Sequence, residues 1–547
     1  MKVLRLLPWF AALLPALAAG LWASFAGRFP EPWAERQALG EISSRWTFAE
    51  WADVQSEPWH VVARVLHLAV LHVSGMTMRW AALANVLLAL LLVWCLSGLL
   101  RRIFMLGGPA RAWARFGVGL MVFSPAFGAN WLHGERLGVF LPPLALAAGL
   151  ALLQRDGRFG WRAALAVGLA GLAPFCHGNG IVAFLALLPA LAEAARRSGK
   201  SRGVAWIVAA LLVGSVAAVY SMRSAGTISL GEGLLAHVTT APIAAFGELL
   251  RATGRLWLDP LPATTFDETV LGACSWLLPL ILWRVGDRSE AARRAAAPWW
   301  SCVWYGLLVV LWNAERHGLA VDISTWREVT FGAFLLPIGY LGVLAARLGR
   351  GLLPLAGGAL LVLALQDWHR GIEDLRLARM QVERTEAALL VPETIVGKAA
   401  ASASPVRDPA QLAWLQQRRW VPEPEHVFES ALPAATAAST RMTHGSCMGG
   451  TDRVVRGTVR SSLLGDTPQW VVLMATVGES PAVQVGRVQP EFAGRGRDVA
   501  WSAELESPLA EGTRVRALGM LVRRGEVVAL GPLFVVKNGA LAVADAP

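Results

Sequence analysis

The sequence predicts an α-helical polytopic membrane protein with about eleven transmembrane helices, followed by a C-terminal extracytoplasmic β-sandwich-like domain. This prediction rests on composition, on the length of the apolar runs and on a change of pattern near residue 436. Of the 547 residues, 55% are hydrophobic and only 16% are charged, and the mean hydropathy is +0.47. Water-soluble domains are less apolar than this, so a lipid bilayer is the expected solvent.

Eleven apolar runs have lengths that suit helices crossing a hydrocarbon layer of roughly 30 Å. We expect the first run to remain as a signal anchor, because nothing after it obliges cleavage. Few charges lie within the runs and no internal repeat is visible, so an inverted-repeat transporter is disfavoured. The runs lie near 6–26, 79–100, 113–127, 137–153, 162–176, 180–195, 204–220, 269–284, 299–313, 329–346 and 352–366.

The net charge of +11 comes largely from short arginine clusters between the runs, as in cytoplasmic loops. This pattern argues against a nucleic-acid partner. The N-terminus is therefore predicted to be cytoplasmic, and an odd number of spans places the chain after Asp367 in the periplasm or outside the cell. The composition, rich in arginine and poor in lysine, suggests a bacterial source. The expected membrane is therefore a bacterial inner membrane. The clusters lie at 101–115, 155–162, 196–202, 284–294 and 347–350.

Three parts are expected along the chain: a transmembrane domain over 1–366, a helical extracytoplasmic linker over 367–435 and a small β-rich domain over 436–547. In the linker, helical stretches are predicted at 368–390 and 409–419. In the last part, alternating apolar runs are separated by Gly, Asp, Pro and Ser turns, which indicates an antiparallel sandwich.

The five cysteines lie far apart, without a CxxC pair, and four are in or beside apolar runs. They are interpreted as packing residues. Cys176 and His177 are adjacent in sequence, which does not match ordinary zinc-ligand spacing. No metal-ligand set is identified, and the cofactor stays unknown, with a divalent metal still open.

The first predicted outside loop carries six carboxylates between residues 28 and 60. Glu35 and Glu31 are the leading candidates for a catalytic carboxylate by position, and Asp53 is the reserve. The simpler alternative is that each keeps an exposed loop soluble. The following stretch, 61–75, has apolar residues at helical spacing and predicts a helix lying along the membrane surface.

Arg136 and Arg327 are predicted at the outer ends of spans, where a guanidinium can bind a lipid phosphate in a bidentate manner. His133 lies close enough in sequence to assist. The alternatives are interfacial snorkelling for the arginines and simple packing for the histidine.

Several polar segments at the ends of the apolar runs are potential family anchors: Glu57-Pro58-Trp59-His60, Val73-Ser74-Gly75, Met78-Arg79-Trp80, Ser124-Pro125, His133-Gly134-Glu135-Arg136, Gly160-Trp161-Arg162 and Thr325-Trp326-Arg327-Glu328. In order and spacing they resemble those of the C-type (GT-C) multi-spanning membrane glycosyltransferases. The resemblance covers roughly residues 1–366.

This resemblance implies transfer of a sugar from a polyprenyl-phosphate-linked donor to an envelope glycan, lipid or protein acceptor. An acidic residue of the first outside loop would act with basic residues that bind the donor phosphate. This chain has no adjacent acidic pair after the first span, and Glu57 stands where the family has histidine. The alternative is therefore a non-catalytic membrane component of envelope polysaccharide assembly or export, with a glycan- or partner-binding β-domain.

Overall fold

The protein is mostly helical, with an antiparallel β-domain at the C-terminus. The chain that the structure describes divides into two compact units, with the division between Asp374 and Leu375. A computed structural model describes residues 8–24, 61–74, 78–154, 160–199, 238–258, 265–285, 289–317, 330–348, 353–390, 444–461, 467–478, 480–490, 498–505, 507–521 and 526–544, with isolated positions in 207–214.

The first unit contains helices that follow most of the predicted apolar runs. Short 3₁₀ helices at Pro125–Phe127, Gly134–Arg136 and Ala173–Phe175 join some of them. The α-helices are α1 Leu14–Ser24, α2 Val61–Val73, α3 Met78–Phe104, α4 Gly108–Val122, α5 Gly128–Leu132, α6 Leu137–Leu153, α7 Trp161–Leu172, α8 Gly180–Arg197, α9 Pro242–Leu258, α10 Thr265–Val285, α11 Glu290–His317, α12 Leu335–Leu348 and α13 Leu353–Leu390.

Two of the described helices are long and apolar enough to cross a membrane, Arg79–Phe104 and Glu290–Glu315. Four further apolar helices are shorter: Pro8–Ser24, Leu137–Leu153, Trp161–Phe175 and Leu335–Arg347. The predicted run at 204–220 lies largely outside the described residues. Eleven transmembrane helices are therefore not confirmed. The physical reason is length, because at 1.5 Å per residue a helix of 17 residues spans only about 26 Å.

Large apolar side chains lie exposed in stripes on several of these helices. On α3, Leu87, Leu91 and Trp94 are exposed on one face, while Leu92 and Leu96 are buried on the other. Stripes also follow α1 and α10. Exposed apolar surface on this scale is typical of a membrane or partner contact. The exposed residues of those two helices are Leu14, Leu17, Leu21, Phe266, Val270, Leu277, Leu280 and Ile281.

The arginine-rich ends of the helices meet at one end of this unit, called here the arginine end. It comprises the C-terminal ends of α3, α6, α8, α10 and α12 and the N-terminal part of α11. The helices therefore alternate in direction, as the positions of the arginine clusters predict. The contacts are Arg102 Nη1 to the Ala151 carbonyl at 3.0 Å, the Phe104 and Trp299 rings at 6.1 Å, Arg293 Nε to Glu193 Oε2 at 3.1 Å, and Arg347 to the Leu282 carbonyl.

A helical hairpin is formed by α9, which lies in the connection between the predicted runs at 204–220 and 269–284, and by α10, which corresponds to the second of these runs. Its two helices are antiparallel and very close, because a Cβ atom at Gly254 would lie 1.8 Å from the Glu268 carbonyl oxygen. The same holds for Gly272 against Leu250. Helix α9 was not predicted, and the two glycines allow its backbone to touch that of α10.

Helix α13 is continuous from Leu353 to Leu390, whereas the sequence predicts a last span ending at 366 and a separate linker helix. No proline interrupts the helix after Pro354. Residues 375–390 belong to the same compact unit as the β-strands. The compact unit that contains the β-strands therefore includes the second half of α13, from Leu375 onward.

Among its described residues, the second unit contains nine strands, all paired antiparallel, in sheets of order β1-β2-β5 and β4-β3-β6-β8-β9, with β7 on β6. The strands over 470–476 and 514–521, two of the alternating apolar runs, pair in register, with Val472 opposite Leu518. The strands are β1 Gly445–Gly450, β2 Val454–Arg460, β3 Trp470–Thr476, β4 Val483–Val488, β5 Asp498–Glu504, β6 Arg514–Leu521, β7 Glu526–Ala529, β8 Phe534–Lys537 and β9 Ala540–Val543.

The core of the second unit lies between its two sheets, where Val455 and Trp501 pack with Leu473 and Phe534. Cys447 is buried in the same core, and this burial raises the pKa of its thiol. The elevated pKa lowers the thiolate fraction at neutral pH, in keeping with a packing role.

The opposite face of β3 and β6 is also buried, at Val472, Leu518 and Met520. The last turns of α13 contribute polar contacts to this unit. Gln469 Nε2 donates to Glu383 Oε2 at 3.1 Å, and Arg376 donates to the Ser461 hydroxyl. Residues 375–390 are thus an integral part of the β-rich unit.

Candidate functional site

The turn between α4 and α6, residues 124–136, carries both described candidates for phosphate binding, His133 and Arg136. Ser124 begins the turn, because its hydroxyl accepts a hydrogen bond from the Ala126 N–H at 3.2 Å. The Arg136 N–H donates to the His133 carbonyl at 3.2 Å, which closes the last 3₁₀ turn before α6. Both side chains are half-buried. They are therefore held on a short, hydrogen-bonded connection.

Asn85 of α3 fixes this turn to the helical unit. Its side chain is fully buried, and its Nδ2 group donates to the carbonyl oxygens of Asn130 and His133, each at 3.1 Å. One amide thus satisfies two backbone acceptors that burial would otherwise leave without hydrogen bonds.

An aromatic cluster supports the turn from inside. Trp131 is fully buried and donates its Nε1–H to the Ser124 carbonyl at 2.9 Å. Phe331, from the segment before α12, packs against Phe140 with ring centroids 4.5 Å apart and against Phe127 at 5.1 Å. The segment that follows Arg327 by three residues therefore reaches the same end of the unit.

The start of α6 is also in close contact with α2 and with the turn after α7. A Cβ atom at Gly138 would lie 2.6 Å from the Cys176 carbonyl oxygen and 3.1 Å from the Ala63 Cβ. The helix predicted over 61–75 is confirmed over Val61–Val73. The backbone N–H of Asn179 donates to His177 Nδ1 at 3.2 Å, so this imidazole takes part in a local turn.

Asp367 of α13 adds a half-buried carboxylate to this end, which sequence reasoning missed. The Ser124 hydroxyl donates to it, and the indole N–H of Trp368 donates to the Leu120 carbonyl at 2.6 Å. Gly371 lies against the Ala126 backbone, where a Cβ atom would be 2.2 Å from the amide nitrogen. A sequence signal for Asp367 was available, because it is the first carboxylate after the last apolar run.

This end of the unit therefore combines a guanidinium and an imidazole on a fixed turn with a carboxylate of α13 that is bonded to the first residue of that turn. A guanidinium and an imidazole can bind an anion such as a phosphate, and a carboxylate can accept a proton. Among the residues that the structure describes, no group of three His, Cys, Asp or Glu side chains is placed to hold a metal ion.

The remaining candidates from the sequence are not placed. Glu31, Glu35 and Asp53, the predicted catalytic carboxylates, and Arg327, the second phosphate ligand, lie outside the described residues. The structure thus describes His133 and Arg136 on one turn and leaves the other members of the predicted site as predictions.

Comparison with known proteins identifies no relative: no family model, no curated protein and no solved structure matches the chain.

Proposed function

We propose that this chain is a polytopic protein of a bacterial inner membrane with about eleven spans, a cytoplasmic N-terminus and an extracytoplasmic β-rich unit. The arginine end would face the cytoplasm, and the 124–136 turn would face outward. Helix α3 supports this placement, because its 27 residues extend about 40 Å at 1.5 Å per residue, with Arg102 in its last turn. That length exceeds a hydrocarbon layer of about 30 Å, so α3 is long enough to cross it. The exposed apolar stripes would then contact lipid.

We infer that the protein is a glycosyltransferase that moves a sugar from a polyprenyl-phosphate-linked donor to an envelope glycan, lipid or protein acceptor. The observation that carries this proposal is the turn itself, which holds His133 and Arg136 half-buried at the end of the unit away from the arginine end. A guanidinium and an imidazole at that depth are well suited to a lipid-linked phosphate.

The proposed roles follow from the chemistry of the transfer. Arg136 and Arg327, with His133, would stabilise the negative charge of the departing phosphate. A carboxylate, Glu35 or Glu31 with Asp53 in reserve, would take the proton of the acceptor hydroxyl as the new glycosidic bond forms. Arg327 is three residues from Thr330, whose neighbour Phe331 contacts the aromatic cluster of the turn. The covalent chain therefore keeps Arg327 near this end.

The decisive experiment measures donor binding and turnover separately, with purified protein and a radiolabelled polyprenyl-phosphate sugar. Arg136→Ala and Arg327→Ala each remove a charge-assisted contact of about 1.5–3 kcal/mol, so donor affinity should fall about ten- to a hundredfold. Arg102→Ala, at the other end of α3, is the matched control and should leave donor affinity unchanged. Glu35→Gln or Glu31→Gln should lower turnover about a hundredfold or more with donor binding retained.

A non-catalytic role in envelope polysaccharide assembly or export is the second candidate, and the missing acidic pair after the first span favours it. Donor binding without turnover in the wild-type protein would support this alternative. Absence of any binding of a lipid-linked sugar would contradict the glycosyltransferase proposal altogether.

Orientation is tested independently by labelling single cysteines from outside intact cells, in a cysteine-free background. Ser198→Cys lies beside the arginine end and should be protected, whereas Ser502→Cys, exposed on β5, should react. Labelling at position 198 would contradict the proposed topology.

A further inference from the structure

A buried carboxylate, Glu193, organises a cluster of arginines at the arginine end. Glu193 lies in the last turns of α8, and its side chain is only 6% exposed. Its closest partner is Arg293 of α11, with Nε 3.1 Å from Oε2. Arg196 and Arg294 lie further away, at 3.7 Å and 4.0 Å. Arg293 therefore forms the clamp between the two helices, and the other two arginines surround it.

The cluster has more positive than negative charge. Arg197 also belongs to it, since its Nε donates to the Glu193 carbonyl at 3.4 Å. Glu290 is the second carboxylate and is bonded to Arg294. Four guanidinium groups thus face two carboxylates, which leaves an excess of two positive charges. The excess is most accessible at Arg196 and Arg294, whose side chains are 46% and 48% exposed.

An exposed apolar stripe on α8 leads directly to this charge. Leu185, Ala192 and Arg196 are exposed, seven and then four residues apart, and therefore lie on one face of the helix. Leu188 and Pro189, between them, are partly exposed on the same side. An apolar stripe that ends in a cationic group is complementary to an anionic phospholipid. The acyl chain would lie beside the helix, and the phosphate would contact the cation at its end.

We propose that Arg196 and Arg294, held by the Glu193–Arg293 pair, bind the phosphate headgroup of an anionic phospholipid between α8 and α11. The inference rests on the membrane placement given above but not on the glycosyltransferase reaction. The ligand group is a phosphate with a net negative charge. Its source is a lipid, because the exposed stripe on α8 extends the site along the helix, where an acyl chain would lie.

The test measures binding of dioctanoyl phosphatidylglycerol to the full-length protein in a neutral detergent by native mass spectrometry. Dioctanoyl phosphatidylcholine, whose phosphate is neutralised within the headgroup, and free glycerol phosphate are the comparison ligands. The wild-type protein should bind phosphatidylglycerol most tightly. The double variant R196A/R294A should bind it about twenty-five-fold more weakly, at about fivefold per arginine.

The double variant keeps Glu193 and Arg293, so its melting temperature should stay close to that of the wild type. Arg102→Ala removes another exposed arginine of the same end and should not change binding. Equal binding of phosphatidylcholine, or unchanged binding by R196A/R294A, would overturn the site. Tighter binding of glycerol phosphate than of the lipid would overturn the lipid assignment.

Carbonate extraction distinguishes an error in the headgroup site from an error in the membrane placement. If carbonate releases the chain from membranes, the placement itself is wrong. If the chain stays in the membrane fraction but lacks the lipid preference, only the headgroup site is wrong.

Discussion

The two units differ in where their leucines lie. Among the described residues, the strongly exposed leucines are in the helical unit: Leu91 of α3 is 48% exposed and belongs to a stripe with Leu87 and Trp94, although Leu92 of the same helix is buried. Leu473 of β3 is fully buried between the sheets, and strand β2 buries Val455 and Val459 and exposes Arg456 and Arg460 in alternation. The second unit thus shows the alternating pattern of a sheet with one face in water, and the first exposes apolar stripes of the kind that a membrane or a partner covers.

Buried polar groups differ in the same way. In the helical unit, Asn85 satisfies the backbone of one turn and Glu193 joins two helices near the arginine end. In the β-rich unit, Glu383 and Gln469 form a hydrogen bond between a helix and the edge of a strand. The comparison teaches that the helical unit places these polar contacts towards its ends, where a bilayer would have its interfaces.

The largest expected effect is a loss of packing in the core of the β-rich unit. Leu473→Ala should lower the free energy of opening of β3 and β6 by about 2–5 kcal/mol, because Leu473 is fully buried. Leu91→Ala, the matched change on the exposed stripe, should have an effect within about 0.5 kcal/mol on α3. Hydrogen exchange of peptides covering these elements measures both. Equal loosening by the two variants would show that Leu91 is packed by protein.

A charge on the same stripe distinguishes lipid from water. Leu91→Arg should cost about 2.5–3.5 kcal/mol of α3 insertion if the stripe faces hydrocarbon. Val483→Arg, at an exposed apolar position of β4, should be neutral within about 0.5 kcal/mol. The inserted fraction of α3, read from a glycosylation tag in microsomes, is the measurement. Unimpaired insertion of Leu91→Arg would contradict the lipid-facing assignment.

The sequence predicts local features better than long-range ones. Helices such as Leu137–Leu153 and the paired strands β3 and β6 are visible as apolar runs of the appropriate period. The α9–α10 hairpin was missed because its basis is backbone contact at Gly254 and Gly272, which a hydropathy pattern does not record.

The candidate site follows the same division. His133 and Arg136 could be selected from the sequence, because they lie between two apolar runs. The contact of Asp367 with Ser124 could not be predicted, because the two residues are 243 positions apart in the chain. Asn85 was missed for a similar reason, since it lies inside an apolar run and its acceptors are more than 40 residues further on.

The ion pairs of the two units should respond differently to loss of a charge. Glu193→Gln should lower the stability of the α8–α11 contact by about 1–3 kcal/mol, a range reduced because Arg293 is about one third exposed. Asp498→Asn removes the carboxylate from an exposed pair with Arg460, and its effect should stay within about 0.5 kcal/mol. Hydrogen exchange of 180–197 and 454–460 measures the difference. A larger effect from Asp498→Asn would contradict the contrast in burial.

The smallest expected effect concerns two hydroxyls that cap turns, one in each unit. Ser124→Ala removes the bond to the Ala126 N–H and the bond to Asp367, and Thr451→Ala removes bonds to the N–H groups of Arg453 and Val454. Each should loosen its own turn by about 0.5–2 kcal/mol, measured by hydrogen exchange. Only Ser124→Ala should also weaken binding of the lipid-linked sugar, by a few-fold, because it loosens the backbone that carries His133 and Arg136.

Two variants of Asp367 test whether Ser124→Ala weakens donor binding by loosening the turn. Asp367→Ala removes the acceptor of the Ser124 hydroxyl and should loosen the turn less than Ser124→Ala does, because the bond from the Ala126 N–H to that hydroxyl stays. Asp367→Asn keeps an oxygen that accepts the same hydrogen bond, so both the turn and donor binding should remain as in the wild type. If Asp367→Asn instead abolishes turnover while exchange over 124–136 stays unchanged, the carboxylate takes part in proton transfer and is more than a support for the turn.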